Sequence, residues 1–187
     1  MASRSTKLVL LDRDGVINYD SPEYVKTPEE WVPIPGSIEA IAALKRAGFA
    51  VAVCSNQAGV GRGIIEREDL DRIHQKLHAT LAAAGVVLDA LAVCTHHPDD
   101  GCRCRKPAPG MLLQVMRELG IGPEQTCCVG DSVRDVQAAL AAGCCSVLVL
   151  TGNGAADEVR ARRLGNHQVY ADLAAFAAAL LGEEPCF

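Results

Sequence analysis

Short, continuous apolar runs alternate with helix-patterned stretches along the whole chain, and this alternation constrains the fold more than any other feature. Strand-like runs fall at 8–11, 49–54, 88–94, 126–129 and 146–150, with helical patterns between them at 37–47, 66–84, 110–119 and 133–142. A weaker strand at 168–170 precedes an Ala-rich helical stretch at 172–181. Apolar, β-branched runs of this length suit strands buried on both faces, as in a parallel sheet covered by helices. Gly48, Gly85, Gly120 and Gly143 each follow a helical stretch, where C-terminal caps belong. The expected fold class is α/β: a doubly wound, Rossmann-like parallel sheet. A length of 187 residues suits one domain, expected over 1–187 without a large cap.

The first run, in KLVLLDRDGVIN, ends in two carboxylates, Asp12 and Asp14, around Arg13. A buried strand ends this way when something there requires negative charge. Ligands of open α/β sheets bind at the carboxyl ends of the strands, so the residues following each strand can be compared. The second is followed by SNQAGVGRG (Ser55 to Gly63), the third by a cysteine-containing loop and then Arg105-Lys106, and the fourth by GDSVRD with Asp131 and Asp135. One D-x-D alone would be a solvated strand end. Four connections delivering carboxylates, a hydroxyl, a Gly-rich turn and a lysine to one edge are not explained that way.

Phosphoryl transfer suits this set. Acidic groups at adjacent strand ends repel one another and call for a hard cation, and carboxylate oxygens suit Mg²⁺. A lysine and Mg²⁺ together offset the repulsion between a carboxylate nucleophile and a phosphate dianion. Asp12 can attack phosphorus, while Ser55 and neighbouring backbone N–H groups hold the other phosphate oxygens. Asp14, two residues on, can protonate the leaving oxygen and later activate water.

DRDGVIN, SNQAGVGRG, RKPAPGM and GDSVRD match, in order, the four motifs of the haloacid dehalogenase superfamily of phosphatases, which the chain resembles over essentially its whole length. The resemblance implies Asp12 as nucleophile, Asp14 as acid/base, and Ser55 and Lys106 as ligands of the transferring phosphoryl group. It implies Mg²⁺ held by the Asp12 carboxylate, the Asp14 backbone carbonyl and Asp131, with Asp135 in support behind them. Dehalogenating members lack the second aspartate, so Asp14 favours phosphatase chemistry. Within the superfamily, the chain more closely resembles the phosphatases that remove the C7 phosphate of D-glycero-D-manno-heptose 1,7-bisphosphate, in lipopolysaccharide precursor synthesis. Histidinol-phosphate phosphatases are the alternative, and a zinc-stabilised, non-catalytic binding module is a third reading.

CTHHPDDGCRCRKP places Cys94, His96, Cys102 and Cys104 within eleven residues, a set of three thiols and an imidazole that suits structural Zn²⁺. The spacing C-x-H-x₅-C-x-C departs from the commoner C-x₂-C pattern, and spacing alone also allows a polar loop with incidental thiols. The resemblance implies zinc in the loop 94–104, with His96 rather than His97 as ligand. Zinc there would stiffen the loop just before Arg105-Lys106. His74 and His78, four apart on a helix, are expected to be an exposed pair. Cys54, Cys127, Cys128, Cys144 and Cys145 read as small buried hydrophobes and Cys186 as an inert tail residue.

A bisphosphate brings a second, unreacting dianion, and Arg105 is suited to binding it bidentately. Local acids, Asp99 or Asp100, are the competing partners of Arg105. Gly59, Gly61 and Gly63 leave room for a bulky sugar phosphate, with Asn56, Gln57 and Ala58 as the expected substrate-binding positions. Two long connections, 19–36 with Pro22, Pro28, Pro33 and Pro35, and 95–109, are too short for an independent lid, so an open site is expected. The net charge of −5 argues against nucleic acid as a partner. MASRSTK leads directly into a strand with no apolar signal region, and no run is long enough to span a membrane. The expectation is a cytoplasmic protein acting on a small phosphorylated sugar, with no nucleic acid or membrane partner; a monomer is compatible with it.

Overall fold

The computed structural model describes residues 7–165 and 167–182; Cys186 lies outside the described residues. The elements run β1 (Leu8–Leu11), α1 (Ser37–Arg46), β2 (Ala50–Asn56), α2 (Ala58–Gly61), α3 (Arg67–Ala83), β3 (Ala90–Cys94), α4 (Gly110–Leu119), β4 (Thr126–Gly130), α5 (Val133–Ala142), β5 (Cys145–Val149), α6 (Gly154–Ala161), β6 (Gln168–Tyr170) and α7 (Leu173–Leu181). The six strands form one parallel sheet in the order β3-β2-β1-β4-β5-β6. Strand order reverses between β1 and β4, and such a switch point opens a crevice at the carboxyl edge. Leu11 is in register with both Val53 and Val129, so Asp12, Ser55 and Asp131 emerge along one edge.

Strand periodicity divides the core in two. Val9 and Leu11, with Val51, Val53, Val129 and Val149, pack against α1, α3 and α7. Leu8 and Leu10, with Ala50, Ala52, Cys54 and Cys128, pack against α4 and α5 on the other face. This is why each strand reads as a continuous apolar run. The four helix-terminating glycines all have positive φ, from 66° at Gly120 to 91° at Gly48.

Three features differ from the sequence reading. Strand β2 continues to Asn56 because its ladder with β3 extends through Ser55–Val93 and Asn56–Cys94. Helix α6 was not expected; only Gly154 and Ala161 of its eight residues are buried, so its apolar stripe is too thin to register. His74 and His78 are not an exposed pair. His78 is exposed, but His74 is buried, on the same stripe of α3 as Leu70, Ile73, Leu77 and Leu81.

The 19–36 connection is pinned to the body. Trp31 is fully buried, and Lys76 of α3 donates to the Pro28 and Trp31 carbonyls at 2.6 and 2.9 Å. Ile34 N–H donates to the Ile17 carbonyl at 2.9 Å. Among the described residues no helix is long and apolar enough to cross a membrane.

Candidate active site

Lys106 is buried at the centre of the crevice, with Nζ 2.8 Å from Asp12 Oδ2 and 2.6 Å from Asp135 Oδ1. Asp12 follows β1, and its Oδ1 accepts the Arg13 N–H at 2.7 Å. Asp135 lies in the first turn of α5, where its Oδ2 accepts from the Ser132 N–H and hydroxyl in a capping box. Asp131 follows β4, and its Oδ2 accepts from the Asn153 N–H at 2.8 Å and Nδ2 at 3.1 Å. Two glycines permit this approach: a Cβ on Gly15 (φ 78°) or Gly152 (φ 55°) would lie 2.2 or 2.1 Å from Asp131 Oδ2.

The electrostatics leave negative charge in excess. Burial pushes Asp12 up to about 8, against the pull of Lys106, and the Asp135 and Asp131 charges add to the push. Asp131 is pushed up to about 6 by burial and then by Asp135, while the Asn153 donors lower it. Burial raises Asp135 too, but the Lys106 charge and hydrogen bonds outweigh it and hold that carboxyl below the usual range. Burial works against the Lys106 charge, yet Asp12 and Asp135 keep its pKa above the ordinary lysine value. One lysine thus faces three carboxylates whose oxygens lie within 4.8 Å of one another. An all-oxygen donor set with surplus negative charge fits a hard divalent cation such as Mg²⁺. Asp12, Asp131 and Asp135 are close enough to share such an ion, and Asp135 is the one fixed in addition by the Ser132 capping box.

Asp14 is held differently. Arg13 grips it in a fork, Nε to Oδ1 at 3.0 Å and the second guanidinium nitrogen to Oδ2 at 2.9 Å, and Asn18 Nδ2 and Gln57 Nε2 each donate at 2.8 Å. Burial raises the Asp14 pKa, but the Arg13 charge and these hydrogen bonds prevail and hold it below the usual carboxylate range. Gln57 Nε2 also donates to Ser55 Oγ at 2.8 Å, so one amide links the hydroxyl to Asp14. Asn56 lines the cavity and also holds the Lys106 backbone through both ends of its amide.

Cys94, His96, Cys102 and Cys104 converge, with Cys104 Sγ 3.3 Å from Cys94 Sγ, 3.4 Å from Cys102 Sγ and 3.2 Å from His96 Nδ1. Four ligands around one zinc, at about 2.3 Å for sulfur and about 2.0 Å for nitrogen, would stand roughly 3.5–3.8 Å apart. The set fits the ion. His97 lies outside it, its Nδ1 accepting the Asp99 N–H at 3.2 Å.

A cavity of about 320 Å³ opens over these groups, lined by Asp12, Asp14, Lys106, Asp131 and Asp135 together with Asn56, Gln57, Ala58 and Arg105. Ser55 lies beneath, buried against Gln57. Among the described residues, buried Nη1 of Arg105 has no hydrogen-bond partner, and no ion pair joins Arg105 to Asp99 or Asp100. Asp20, Arg62, Arg134 and Asn153 also line the cavity, and sequence reasoning missed them. The signal for Asn153 was present: it follows the fifth strand, on the edge where the other four connections were compared. Arg13, which grips Asp14, was missed as well.

The HAD-hydrolase-like family model matches residues 103–176. The chain is 47% identical over 177 residues to the D-glycero-β-D-manno-heptose-1,7-bisphosphate 7-phosphatase of Bordetella bronchiseptica, covering 95% of this chain and 99% of that one. The enzyme of the same name from Pseudomonas aeruginosa is 47% identical over 182 residues, covering 95% of this chain and 99% of the relative. A crystal structure of the B. bronchiseptica D,D-heptose 1,7-bisphosphate phosphatase, complexed with magnesium and phosphate, superposes with a TM-score of 0.88 at 46% identity, covering 96% of this chain and all (100%) of that one. The Burkholderia thailandensis counterpart gives a TM-score of 0.71 at 38% identity, covering 95% and 100%. Sequence and fold agree over nearly the full length of both partners, and the chain belongs to the heptose-1,7-bisphosphate 7-phosphatase family of HAD-like hydrolases.

Proposed function

We propose that this chain is a phosphoric monoester hydrolase that removes the C7 phosphate of D-glycero-β-D-manno-heptose 1,7-bisphosphate through an aspartyl-phosphate on Asp12. The observation that carries the reading is Lys106, buried between Asp12 and Asp135 at 2.8 and 2.6 Å, in a cavity that Asp14 also lines. Asp12 attacks phosphorus, and the bond from phosphorus to the sugar oxygen breaks. The leaving alkoxide takes its proton from Asp14. In the second half, Asp14 removes a proton from water as that water attacks phosphorus, and Asp12 is released. The Arg13 fork keeps Asp14 ionised, ready for the second half. A phosphate dianion arriving beside it raises its pKa and lets it carry the proton needed in the first. Lys106 and Ser55 hold non-bridging phosphate oxygens.

Mg²⁺ held by the Asp12 carboxylate, the Asp14 carbonyl and Asp131 would supply charge neutralisation on the phosphoryl group. Zinc on Cys94, His96, Cys102 and Cys104 would brace the loop 94–104 that leads directly into Arg105 and Lys106. Arg105 lines the cavity, and its guanidinium, unpaired at Nη1 among the described residues, supports a second phosphate there. The β anomer follows the names of the relatives. The reading places the enzyme in the cytoplasm as one phosphatase domain, acting on a small phosphorylated sugar without nucleic acid or membrane.

The test is kcat/KM for phosphate release from heptose 1,7-bisphosphate, fructose 1,6-bisphosphate and histidinol phosphate, with Mg²⁺ present. The heptose substrate should lead by at least about 100-fold, and Arg105→Ala should shrink that lead. A higher kcat/KM for histidinol phosphate would overturn the substrate while leaving the aspartyl-phosphate chemistry in place.

A further inference from the structure

We propose that His74 is a positioning residue for the reaction: its Nε2 holds the Arg13 guanidinium, which in turn fixes the Asp14 carboxylate for proton transfer. This inference rests on the acid/base role proposed above for Asp14.

Arg13 is fully buried, and a buried guanidinium must place its N–H groups on acceptors. Nε and one terminal nitrogen are used by the fork on Asp14. The other terminal nitrogen reaches His74 Nε2 at 3.3 Å, across 61 residues of sequence. Arginine can only donate, so Nε2 is the acceptor and the ring is neutral with its hydrogen on Nδ1. The surroundings favour that form, since burial and then the Arg13 charge lower the His74 pKa to about 4.

His74 is not among the residues lining the cavity, and neither is any other residue of α3. It acts through Arg13. The helix is a firm base for such a contact, because Leu70, Ile73, Leu77 and Leu81 bury its face in the core. Without an acceptor at Nε2, one side of the guanidinium has an unpaired buried N–H. The side chain then gains by rotating towards another partner, and the carboxylate it grips turns with it. A hydrogen bond at the fork's far end thereby sets the angle at which Asp14 faces the leaving oxygen.

The experiment reads the first turnover, in which leaving-group release reports phosphorylation of Asp12 alone. It compares heptose 1,7-bisphosphate, whose alkoxide needs a proton, with p-nitrophenyl phosphate, whose phenolate leaves without one. His74→Leu should slow release of the sugar roughly tenfold, the scale of one hydrogen bond to a charged group, with nitrophenolate release and KM changed by less than about threefold. His74→Gln, whose amide oxygen can accept from Arg13, should recover most of the loss. If His74→Leu fails to fold, His74→Ala serves the same comparison. Equal losses on both substrates, a change in KM alone, unchanged sugar release, or a His74→Gln variant no better than His74→Leu each overturn the proposal. Asp14→Asn separates the two levels. A leaving-group-selective loss in Asp14→Asn without one in the His74 variants overturns only the His74 link. Equal losses in Asp14→Asn overturn the acid role of Asp14 itself.

Discussion

Asn56 and Lys106 are joined end to end: Asn56 Nδ2 donates to the Lys106 carbonyl at 3.0 Å, and the Lys106 N–H donates back to Asn56 Oδ1 at 3.1 Å. The pair ties the end of β2 to the residue after the cysteine loop, one position from where Gln57 N–H donates to the Cys94 carbonyl at 2.8 Å. Two strand ends therefore set the height at which the Lys106 ammonium meets Asp12.

Asn56→Ala should lower kcat roughly 10- to 100-fold with a smaller change in KM, because both backbone contacts of Lys106 go at once. Asn56→Asp keeps the acceptor and loses the donor, and should fall between. Steady-state kinetics on the two variants check this; full activity in Asn56→Ala would show that Lys106 needs no such support.

Asp12→Asn should fold and show no turnover, and acid quenching with radiolabelled substrate should trap no phosphoenzyme. An amide cannot form the aspartyl-phosphate. Asp14→Asn should retain a trappable intermediate while turning over about 10²- to 10⁴-fold more slowly. A phosphoenzyme in Asp12→Asn would sink the mechanism.

Gly152→Ala introduces a Cβ 2.1 Å from Asp131 Oδ2 and 2.7 Å from Gly15 Cα, at a φ of 55°. Asp131 must move, so the Mg²⁺ concentration for half-maximal activity should rise roughly tenfold or more, on the scale of lost metal-site support. Gly48→Ala is the control: its φ is 91° but nothing lies within 4 Å of the added Cβ. It should lower Tm and leave the Mg²⁺ dependence unchanged. Equal Mg²⁺ dependence in Gly152→Ala and wild type would remove Asp131 from the metal site.

Much of this architecture was legible because it is periodic or local. Each strand of the parallel sheet reads as a short apolar run because both its faces are buried, and the groups of the crevice follow those runs directly. What escaped depends on long-range packing. His74 lies four residues after Leu70 and three before Leu77, within the buried stripe of α3, but its pairing with His78 suggested exposure. Its partner Arg13 is 61 residues away and no local pattern joins them. The tie of Asn56 to the Lys106 backbone also escaped, because an amide at a strand end has no sequence-visible partner and Lys106 is 50 residues on. Helix α6 carries too few buried residues to leave a stripe.

Protein purified without added metal should contain about one zinc per chain by elemental analysis, as four converging N/S ligands predict. Cys104→Ser should lose that zinc, melt earlier, and turn over more slowly, since Arg105 and Lys106 follow Cys104 directly. His97→Ala, outside the cluster, should keep the zinc. Full activity in zinc-free protein would make the cluster irrelevant to the crevice.

The His74–Arg13 contact also has a pH signature. With its pKa lowered from 6.5 to about 4, first by burial and then by Arg13, His74 binds fewer protons folded than unfolded between those values. Stability therefore falls as pH drops through that window, at no more than about 1.4 kcal/mol per pH unit, and the contribution is fully present above pH 6.5. Asp12 and Asp131, with pKa values raised to about 8 and about 6, work in the opposite sense, losing stability as pH rises. Their effect is common to wild type and His74→Gln, so the difference between the two isolates His74. Denaturant unfolding at pH 7, 6 and 5 should show wild type losing stability relative to His74→Gln on acidification. A difference that stays constant with pH would mean that His74 is not held neutral against Arg13.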